Sequence, residues 1–209
     1  MFNIENLYKL NKSDLKKAAQ ALTDAFINDP VWEAMLKDVP DRYKKMYNIF
    51  EMTLRHSIKY GYSYSTSKNL EGVALWFHHE KADMTFWRMI RSGAIINIFK
   101  IGVRFGRKMI KIMRDMEQIE KDRHENMKEP YLYLALMGVV PEQQRKGLGR
   151  TLLEAMINKA DLAKYPLYLE TQKEENLKFY EKFDFNVIKK ITITKDKYPI
   201  WEMIRNPIN

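Results

Sequence analysis

One short segment of the chain carries two glycines and three cations between two apolar runs. Gln144-Arg145-Lys146-Gly147-Leu148-Gly149-Arg150 follows the apolar residues 131–140 and precedes the apolar residues 151–157. This order is typical of a strand that turns into a helix. Such a turn points several unpaired backbone N–H groups in one direction, at the positive end of the helix dipole. The glycines allow close approach to the backbone and the cations neutralise phosphate, so the segment predicts a pyrophosphate-binding site.

The same residues resemble a family signature. Gln144-Arg145-Lys146-Gly147-Leu148-Gly149 matches the Q/R-x-x-G-x-G/A motif of the GNAT superfamily of N-acetyltransferases. Further along the chain, residues 176–185 are similar to that family's N-x-x-x-Y-x-x-x-G-F segment, with Asp184 in place of the glycine. A glycine motif alone is weak evidence. Here the flanking elements and the second motif follow in the family's order, over about residues 131–205.

The resemblance implies a fold and an activity. The fold is of the α/β (mixed α+β) class, with a GNAT-like central mixed sheet of about seven strands, splayed between the fourth and fifth, and helices on both faces. The activity is transfer of an acetyl group from acetyl-CoA, as co-substrate, to a primary amine, which we expect on a small molecule. Two other interpretations stay open. One is acetylation of a protein N-terminus or lysine; the other is a non-catalytic acyl-CoA-binding sensor, or a module that docks on nucleic acid or an anionic membrane.

By position, the resemblance assigns the acetyl-CoA contacts to three places. The strand before the turn pairs its backbone with the pantetheine arm, the turn holds the pyrophosphate, and an amide on a later helix holds the cofactor. Many relatives carry that asparagine seven residues before the tyrosine, where Lys173 stands here, but the variant with asparagine at four also occurs. The residues expected to bind acetyl-CoA are Met137, Gly138, Val139, Gln144, Arg145, Lys146, Gly147, Leu148, Gly149, Arg150 and Asn176.

Two residues are the expected catalytic groups. Tyr180 is the general acid, because the family's tyrosine at this position donates its proton to the departing sulfur, and a phenol with a pKa near 10 is protonated at neutral pH. Glu170 ends a predicted strand beside the splay and is the first candidate for the general base. Glu51, His78 and His79 remain alternatives, and ordered water is a further route for the proton.

We expect no metal site. His78 and His79 are adjacent, so on a strand they would face opposite ways and could not bind one ion together. The chain contains no cysteine. This excludes disulfides, thiolate metal ligands and a cysteine nucleophile.

The composition is that of a folded globular chain, with 209 residues of which 45% are hydrophobic and 12% aromatic. We expect one domain over residues 1–209. No apolar run approaches the ~18 residues that a membrane span needs, and the first residues lack a signal region, so we expect a cytoplasmic protein. The net charge of +9 discriminates poorly between partners. We expect neither nucleic acid nor a membrane as a partner, and we leave a homodimer open.

Periodicity and turn residues predict the remaining elements. A short strand at 4–10 precedes a helix that Ser13 caps and that ends near Pro30. A second helix runs from Asp41 to Tyr60, and Gly61 closes it. The other expected strands are 62–66, 73–78, 131–140, 167–171, 185–194 and 199–205, and the other expected helices are about 149–165 and 174–183.

Residues 81–129 form an insertion between the third and fourth strands that a minimal family member lacks. The stretch from Met84 to Arg114 contains eight basic residues and no acidic one. Its glycines favour two helices with a break over one continuous helix. We expect a helical lid over an acceptor cleft that Asp29 to Trp32 line, with Trp76 and Phe77 nearby. The apolar stripe of the lid is Phe105, Met109, Ile112, Met116 and Ile119.

Overall fold

A seven-stranded mixed sheet forms the centre of the protein. The computed structural model describes residues 4, 6–102, 105, 117–128, 130–193 and 198–208. The strands are β1 (Tyr8–Lys9), β2 (Tyr62–Ser65), β3 (Gly72–His78), β4 (Leu132–Val139), β5 (Leu167–Thr171), β6 (Asn186–Ile193) and β7 (Tyr198–Arg205). Their order is β1-β2-β3-β4-β5-β7-β6. Neighbours are antiparallel except β4 and β5, which are parallel.

Helices cover both faces of the sheet. They are α1 (Leu15–Phe26), α2 (Pro30–Met35), α3 (Arg42–Tyr60), α4 (His79–Ala82), α5 (Phe86–Ser92), α6 (Ile95–Ile101), α7 (residues 117–126), α8 (Leu148–Leu162) and α9 (Glu174–Glu181). α1 and α3 lie on one face, and α8 lies on the other. The crossover through α8 joins β4 to β5, as a parallel pair requires.

Alternating side chains along the strands divide the core into two halves. Trp76 of β3 points toward α8 and packs in one buried cluster with Met156. Its neighbour Leu75 points the opposite way and packs in a second cluster with Leu22 of α1 and Phe50 of α3. Each fully buried side chain of this size stabilises the fold by about 1.5–3 kcal/mol. The sheet is therefore anchored on both sides, and its central strands cannot shift register without exposing one cluster.

The parallel pair β4–β5 is bonded over only part of its length. The register joins Leu132 to Leu167, Tyr133 to Tyr168 and Leu134 to Leu169, and no described pair follows. β4 nevertheless continues to Val139. The two strands diverge beyond Leu134, which leaves the backbone of β4 on that edge open to another partner.

A β-bulge in β4 lies where the strands diverge. Leu75 of β3 pairs with Leu136 and the next residue, Trp76, pairs with Leu134, so Ala135 is the extra residue of β4. A bulge interrupts the alternation of side chains and re-aims those that follow. Consequently Met137 packs on the α8 side of the sheet, although Tyr133 and Leu136 belong to the α3 side.

Helix α1 crosses β4 closely at a glycine. A Cβ on Gly138 would lie 2.8 Å from Phe26 Cε2 and 3.1 Å from Ala25 Cβ. A side chain at this position would push α1 away from the strand. Gly138 therefore fixes the distance between α1 and the open part of β4.

The described part of the insertion packs on the α3 side of the sheet. α5 and α6 contact α3, and Asn97 of α6 donates to Glu51 of α3 at 2.9 Å. α7 packs near β4 and β5, where Met127 forms a small buried cluster with Tyr131 and Tyr168. The described residues of the insertion are thus packed into the folded structure.

Most of the predicted elements are confirmed. The sheet of seven strands, the divergence of the fourth and fifth strands, helices on both faces and an inserted helical region after β3 all match the expectation. α3 ends at Tyr60, and Gly61 closes it by donating its N–H to Ser57 O at 2.8 Å. Asp184 has φ +63°, the left-handed conformation expected where the family carries glycine.

Three local predictions were wrong. Ser13 does not cap a helix; Asn11 caps a 3₁₀ turn with a capping box, because its carboxamide accepts from the Ser13 N–H at 2.8 Å. α1 begins only at Leu15. The first strand has two residues, not the expected seven. The first helix does not reach Pro30: it ends at Phe26, and Asp29 precedes the short helix α2, where its carboxylate accepts from the Val31 N–H at 2.9 Å.

Some predictions lie outside the described residues. These concern the stripe residues Met109, Ile112 and Met116 and the cations Arg104, Arg107, Lys108, Lys111 and Arg114. Of the same stripe, Phe105 and Ile119 are buried. No helix within the described ranges is both long and apolar enough to cross a bilayer. The expectations of one domain and of a cytoplasmic location stay predictions.

Candidate active site

The glycine-rich turn connects β4 to α8 through two residues in left-handed conformations. Arg145 has φ +63° and Gly147 has φ +83°. The side-chain amide of Gln144 donates to Val139 O at 3.1 Å and ties the turn back to the end of β4. A Cβ on Gly147 would meet no atom within 4 Å. The turn is therefore open around Gly147, next to the start of α8, where the first N–H groups of a helix lack intrahelical partners.

A cleft of about 570 Å³ lies against this turn. We call it the turn cleft. It is bordered by the end of β4, the start of α8 and one side of α9. Its lining residues are Met137, Val139, Gln143, Gln144, Arg145, Gly147, Leu148, Gly149, Arg150, Asn176, Phe179, Tyr180, Lys182 and Phe183.

The structure brings most of the predicted cofactor residues to this cleft. Two of them, Gly138 and Lys146, are not among the described lining residues. Gly138 faces α1, as the bulge at Ala135 dictates. Lys146 donates to Gln143 Oε1 at 2.9 Å at the surface of the turn. The role predicted for each of these residues stays a prediction.

Tyr180 lies on the wall of the turn cleft, on the inner face of α9. Its ring packs against Phe179 and Phe185, with centroids 5.3 and 5.7 Å away. The side chain is 8% exposed, and burial alone raises the pKa of its phenol above the usual value near 10. The hydroxyl is therefore protonated across the physiological pH range and can act as a proton donor.

Asn176 and Lys173 hold the start of α9 in place. The Asn176 carboxamide donates to Thr171 Oγ1 at 3.1 Å, at the end of β5. Lys173 Nζ lies 2.8 Å from Asp29 Oδ2, in the turn between α1 and α2. This ion pair joins the β1–β4 half of the sheet to the β5–β7 half across the opening between β4 and β5.

A second cavity of about 300 Å³ lies on the opposite face of β4. We call it the insertion pocket. Apolar side chains form much of its wall, and two carboxylates and one guanidinium lie among them. The lining residues are Thr53, Phe77, Ala82, Asp83, Met84, Ile119, Glu120, Arg123, Tyr133 and Ala135.

The two cavities meet β4 within three residues. Ala135, at the bulge, lines the insertion pocket, and Met137 lines the turn cleft. Both residues lie beyond Leu134, the last residue of β4 that pairs with β5. A molecule in one cavity and a molecule in the other would approach each other through the gap between the strands.

Glu170 lies behind the wall of the insertion pocket. Its side chain is 7% exposed. Burial raises its pKa to about 7, against the opposing effects of Arg123 and Tyr133. Oxygen Oε1 has no hydrogen-bond donor among the described residues. Such an orphaned buried acceptor is costly unless a ligand or water donates to it.

Arg123 of α7 connects the insertion to this carboxylate. Its Nη1 lies 3.7 Å from Glu170 Oε1, and its Nη2 donates to Asp83 Oδ1 at 2.8 Å. The guanidinium also stacks over the Tyr133 ring, 4.4 Å from the centroid. Arg123 is 5% exposed, so these contacts act in a region of low dielectric.

Arg123 and Tyr133 were not predicted from the sequence. Arg123 is one of many cations in a basic insertion, and no local pattern marks it as the partner of a residue on β5. Tyr133 and Tyr168 occupy neighbouring strands in the parallel register. The alignment of these two tyrosines beside Glu170 could have indicated the cluster. It becomes visible only when the register of β4 and β5 is known.

The other candidate bases have different surroundings. Glu51 accepts from Arg55 at 2.6 Å and from Asn97 at 2.9 Å. Although burial acts in the opposite direction, these hydrogen bonds lower its pKa. Glu51 is a structural anion between α3 and α6 and is a poor proton acceptor. Burial lowers the pKa of His78, which with His79 lies at the end of β3.

We expected no metal at His78 and His79 because adjacent residues of a strand face opposite ways, and this reason was wrong. β3 ends at His78 and α4 begins at His79, so the rings do not face opposite ways; their centroids are 4.5 Å apart. Together with Glu80, they offer ligand atoms within 4.8 Å of one another. Asp83, Glu120 and His124 form a similar group. Contact between such groups is common without an ion, and the expectation of no metal stays a prediction.

The predicted acceptor residues lie in different places. Phe77 lines the insertion pocket. Trp76 does not: it is buried in the core on the α8 side. Trp32 packs against Phe50, with centroids 5.0 Å apart, in the α3-side core.

Comparison with known proteins agrees with the geometry. The acetyltransferase (GNAT) domain family matches residues 105–187. An uncharacterized N-acetyltransferase of Schizosaccharomyces pombe is 30% identical over 208 residues, which cover 95% of this chain and 82% of the relative. Among solved structures, the histone acetyltransferase HPA2 and related acetyltransferase from Corynebacterium glutamicum superposes with a TM-score of 0.67 at 18% identity, over 98% of this chain and 97% of that chain.

A second solved structure has a similar fold. Arylalkylamine N-acetyltransferase 2 from Aedes aegypti superposes with a TM-score of 0.64 at 13% identity, over 96% of this chain and 97% of that chain. At these identities the structures show a shared fold. The identity of 30% to the relative from S. pombe, over most of both chains, shows that the two proteins belong to one family. With the divergent β4–β5 pair and the glycine turn in place, the chain belongs to the GNAT family and is an acetyl-transferring acyltransferase.

Proposed function

We propose that the protein transfers the acetyl group of acetyl-CoA to a primary amine of a small molecule. The observation that carries this proposal is the pair of cavities on opposite faces of β4, which adjoin the strand at Ala135 and Met137. The turn cleft, at about 570 Å³ and lined by Arg145 and Arg150, has the volume and the cations for a nucleotide with a pyrophosphate. The insertion pocket, at about 300 Å³, is at the low end of the range for small-molecule sites.

The residues of the turn cleft fit acetyl-CoA. The open space at Gly147 lets phosphate oxygens approach the N–H groups at the start of α8, and Arg145 and Arg150 supply positive charge at the rim. The free edge of β4 from Leu136 to Val139 can pair with the amide groups of the pantetheine arm, as a further strand would. Such pairing would end the arm at the gap between β4 and β5.

Deprotonation of the amine is assigned to Tyr133 and Glu170. An acceptor in the insertion pocket lies against Tyr133, whose side chain acts on the pKa of Glu170. Tyr133 passes its proton to the carboxylate and takes one from the ammonium. The neutral amine nitrogen then attacks the thioester carbonyl carbon, the carbon–sulfur bond breaks, and the nitrogen releases its second proton to solvent as the amide forms. A carboxyl group with a pKa near 7 is matched to this task at neutral pH.

Tyr180 completes the proton balance on the other side. Its phenol is buried in the turn cleft, on the face of the sheet from which the sulfur would leave. A proton donated to the thiolate prevents the reverse attack on the new amide. The phenol regains its proton from solvent through the open cleft.

Arg123 is proposed as a positioning residue. It lies between the carboxylates of Asp83 and Glu170 and covers one face of Tyr133. Its positive charge favours the ionised form of Glu170 and limits the rise in pKa that burial causes. The insertion would therefore be both a wall of the acceptor pocket and a contributor to the chemistry.

The first test is a screen for thiol release from acetyl-CoA with arylalkylamines, polyamines, aminoglycosides, amino acids and short peptides. We expect turnover with small amines that have an apolar body, because Phe77, Met84 and Ile119 line the pocket. Preference for peptides would favour the protein-directed alternative. Binding of acetyl-CoA without turnover on any amine would favour the sensor.

The second prediction concerns the cations of the turn. Arg145→Glu and Arg150→Glu should each weaken acetyl-CoA binding by roughly tenfold or more, because each reversal places an anion at the rim of the phosphate site. Lys146→Glu makes the same change of charge at a residue outside the described lining of the cleft, and it should have a smaller effect. Isothermal titration calorimetry measures the three dissociation constants. Equal loss in all three variants would indicate a long-range charge effect and not a built site.

The third prediction concerns Tyr180. Tyr180→Phe retains the packing against Phe179 and Phe185 but removes the hydroxyl. We expect kcat to fall by roughly 10²-fold or more, the usual contribution of a general acid, with acetyl-CoA affinity nearly unchanged. Steady-state kinetics and calorimetry provide the two values. An unchanged kcat would mean that another group or solvent protonates the sulfur.

The fourth prediction concerns pH. Because Glu170 must be ionised to accept a proton, kcat/KM should rise with pH and level off above about 7. Glu170→Gln should abolish this ionisation and lower kcat/KM. Arg123→Met should move the inflection to higher pH, since loss of the nearby cation raises the pKa of the carboxyl. An inflection that stays in place in Glu170→Gln would exclude Glu170 as the base.

A further inference from the structure

α5 and α6 expose an unusual number of large apolar side chains. Trp87 is 67% exposed and Phe99 is 79% exposed. Both helices pack against α3, so their outer sides face away from the core. We call these outer sides the α5–α6 surface; its apolar residues are Phe86, Trp87, Ile90, Ile96, Ile98 and Phe99. Apolar clusters of this kind on a soluble domain mark interaction sites.

The exposed side chains do not serve the packing of these helices. In α6 the residues turned inward are Asn97 and Ile101, and Asn97 is held by Glu51. In α5, Phe86 and Trp87 contact each other edge to face at 5.9 Å, which leaves both rings largely in solvent. Nothing in the described fold requires aromatic residues at these positions.

The same surface is basic. Residues 84–101 contain Arg88, Arg91 and Lys100 and no aspartate or glutamate. Arg88 donates to the backbone oxygens of Asp83 and Glu80, which leaves its charge uncompensated by those contacts. Lys100 lies 3.6 Å from Glu51, a carboxylate already shared with Arg55. Arg91 and Lys100 are the exposed cations of these residues, so the two helices combine exposed aromatic side chains with positive charge.

We propose that the α5–α6 surface docks on the headgroup region of an anionic lipid bilayer. Tryptophan and phenylalanine side chains insert at the boundary between headgroups and acyl chains, and adjacent arginine and lysine side chains attract anionic lipid. The helices have seven residues each, so they lie on the bilayer and do not cross it. Charge alone did not favour a membrane; the exposed aromatic residues do.

Other occupants fit this surface less well. A second copy of the chain in a two-fold interface would bring Arg91 and its equivalent, with the other cations, toward each other. A nucleic acid would satisfy the cations through its phosphates but would leave Ile96, Ile98 and Phe99 without an apolar partner. An anionic bilayer provides negative charge and an apolar layer at once.

The test is co-sedimentation of the full chain with vesicles of phosphatidylcholine alone and of phosphatidylcholine with phosphatidylglycerol. We expect binding to the anionic vesicles that weakens as salt is raised, and little binding to the neutral ones. Trp87→Ser with Phe99→Ser should reduce the binding by roughly tenfold or more, because the two side chains supply much of the apolar area. Arg91→Glu should reduce it as well.

Matched controls separate this surface from general effects. Leu162→Ser removes an apolar side chain that is 80% exposed on α8, and Lys12→Glu reverses an exposed charge outside the insertion. Both should bind anionic vesicles like the unmodified chain. Circular dichroism and unchanged acetyl transfer would show that Trp87→Ser with Phe99→Ser is folded.

Three results would overturn the proposal. The first is absence of binding to anionic vesicles at low salt. The second is equal binding by the Trp87→Ser, Phe99→Ser variant. The third is a dimer, detected by light scattering, that the same variant converts to a monomer, since a second copy would then cover the surface.

Discussion

The parting of β4 and β5 beyond Leu134 and Leu169 is the constraint on which the rest of the structure depends. A parallel pair that stayed bonded to its ends would close the sheet and separate its two faces. Because the strands diverge, the backbone of β4 keeps unused hydrogen-bonding groups, and a passage exists between the faces. The bulge at Ala135 acts at the same point and directs successive side chains to opposite cavities. Gly138 then lets α1 press on the open part of β4 and holds it in place.

The polar groups around the passage explain why the insertion is built into the fold. Glu170 is a buried carboxylate whose charged form burial opposes. Arg123 lies between it and the carboxylate of Asp83, and the Arg123 guanidinium stacks over the ring of Tyr133. Arg123 and Asp83 belong to the inserted region, so the described part of the insertion contributes to the electrostatic environment of Glu170. The ion pair between Lys173 and Asp29 joins the two halves of the sheet across the opening between β4 and β5.

The sequence predicted the features that depend on short motifs of neighbouring residues. The turn from Gln144 to Arg150 and the second motif at residues 176–185 carried the family resemblance, and that resemblance implied the sheet and its divergence. It also named most of the residues at the glycine turn that line the turn cleft. Asp184 stands where the family motif carries glycine, and it adopts the left-handed conformation that glycine favours. The bulge at Ala135, the facing of Gly138 toward α1 and the contact of Arg123 with Glu170 depend on register and on residues far apart in the chain. No periodicity encodes them, and the capping of the first helical turn by Asn11 was missed because Ser13 is an equally good capping residue by type.

Hydrogen–deuterium exchange of the chain with and without acetyl-CoA tests the central claim most directly. Pairing of the cofactor with the free edge of β4 and with the glycine turn predicts slower exchange of the amides from Leu136 to Gly149, with little change in β6 and β7. A small amine acceptor added with coenzyme A should slow exchange in residues 82–84 and 119–123, on the other face. Unchanged exchange at Leu136 to Gly149 under saturating acetyl-CoA would contradict the account, because the gap in the sheet would then hold no cofactor.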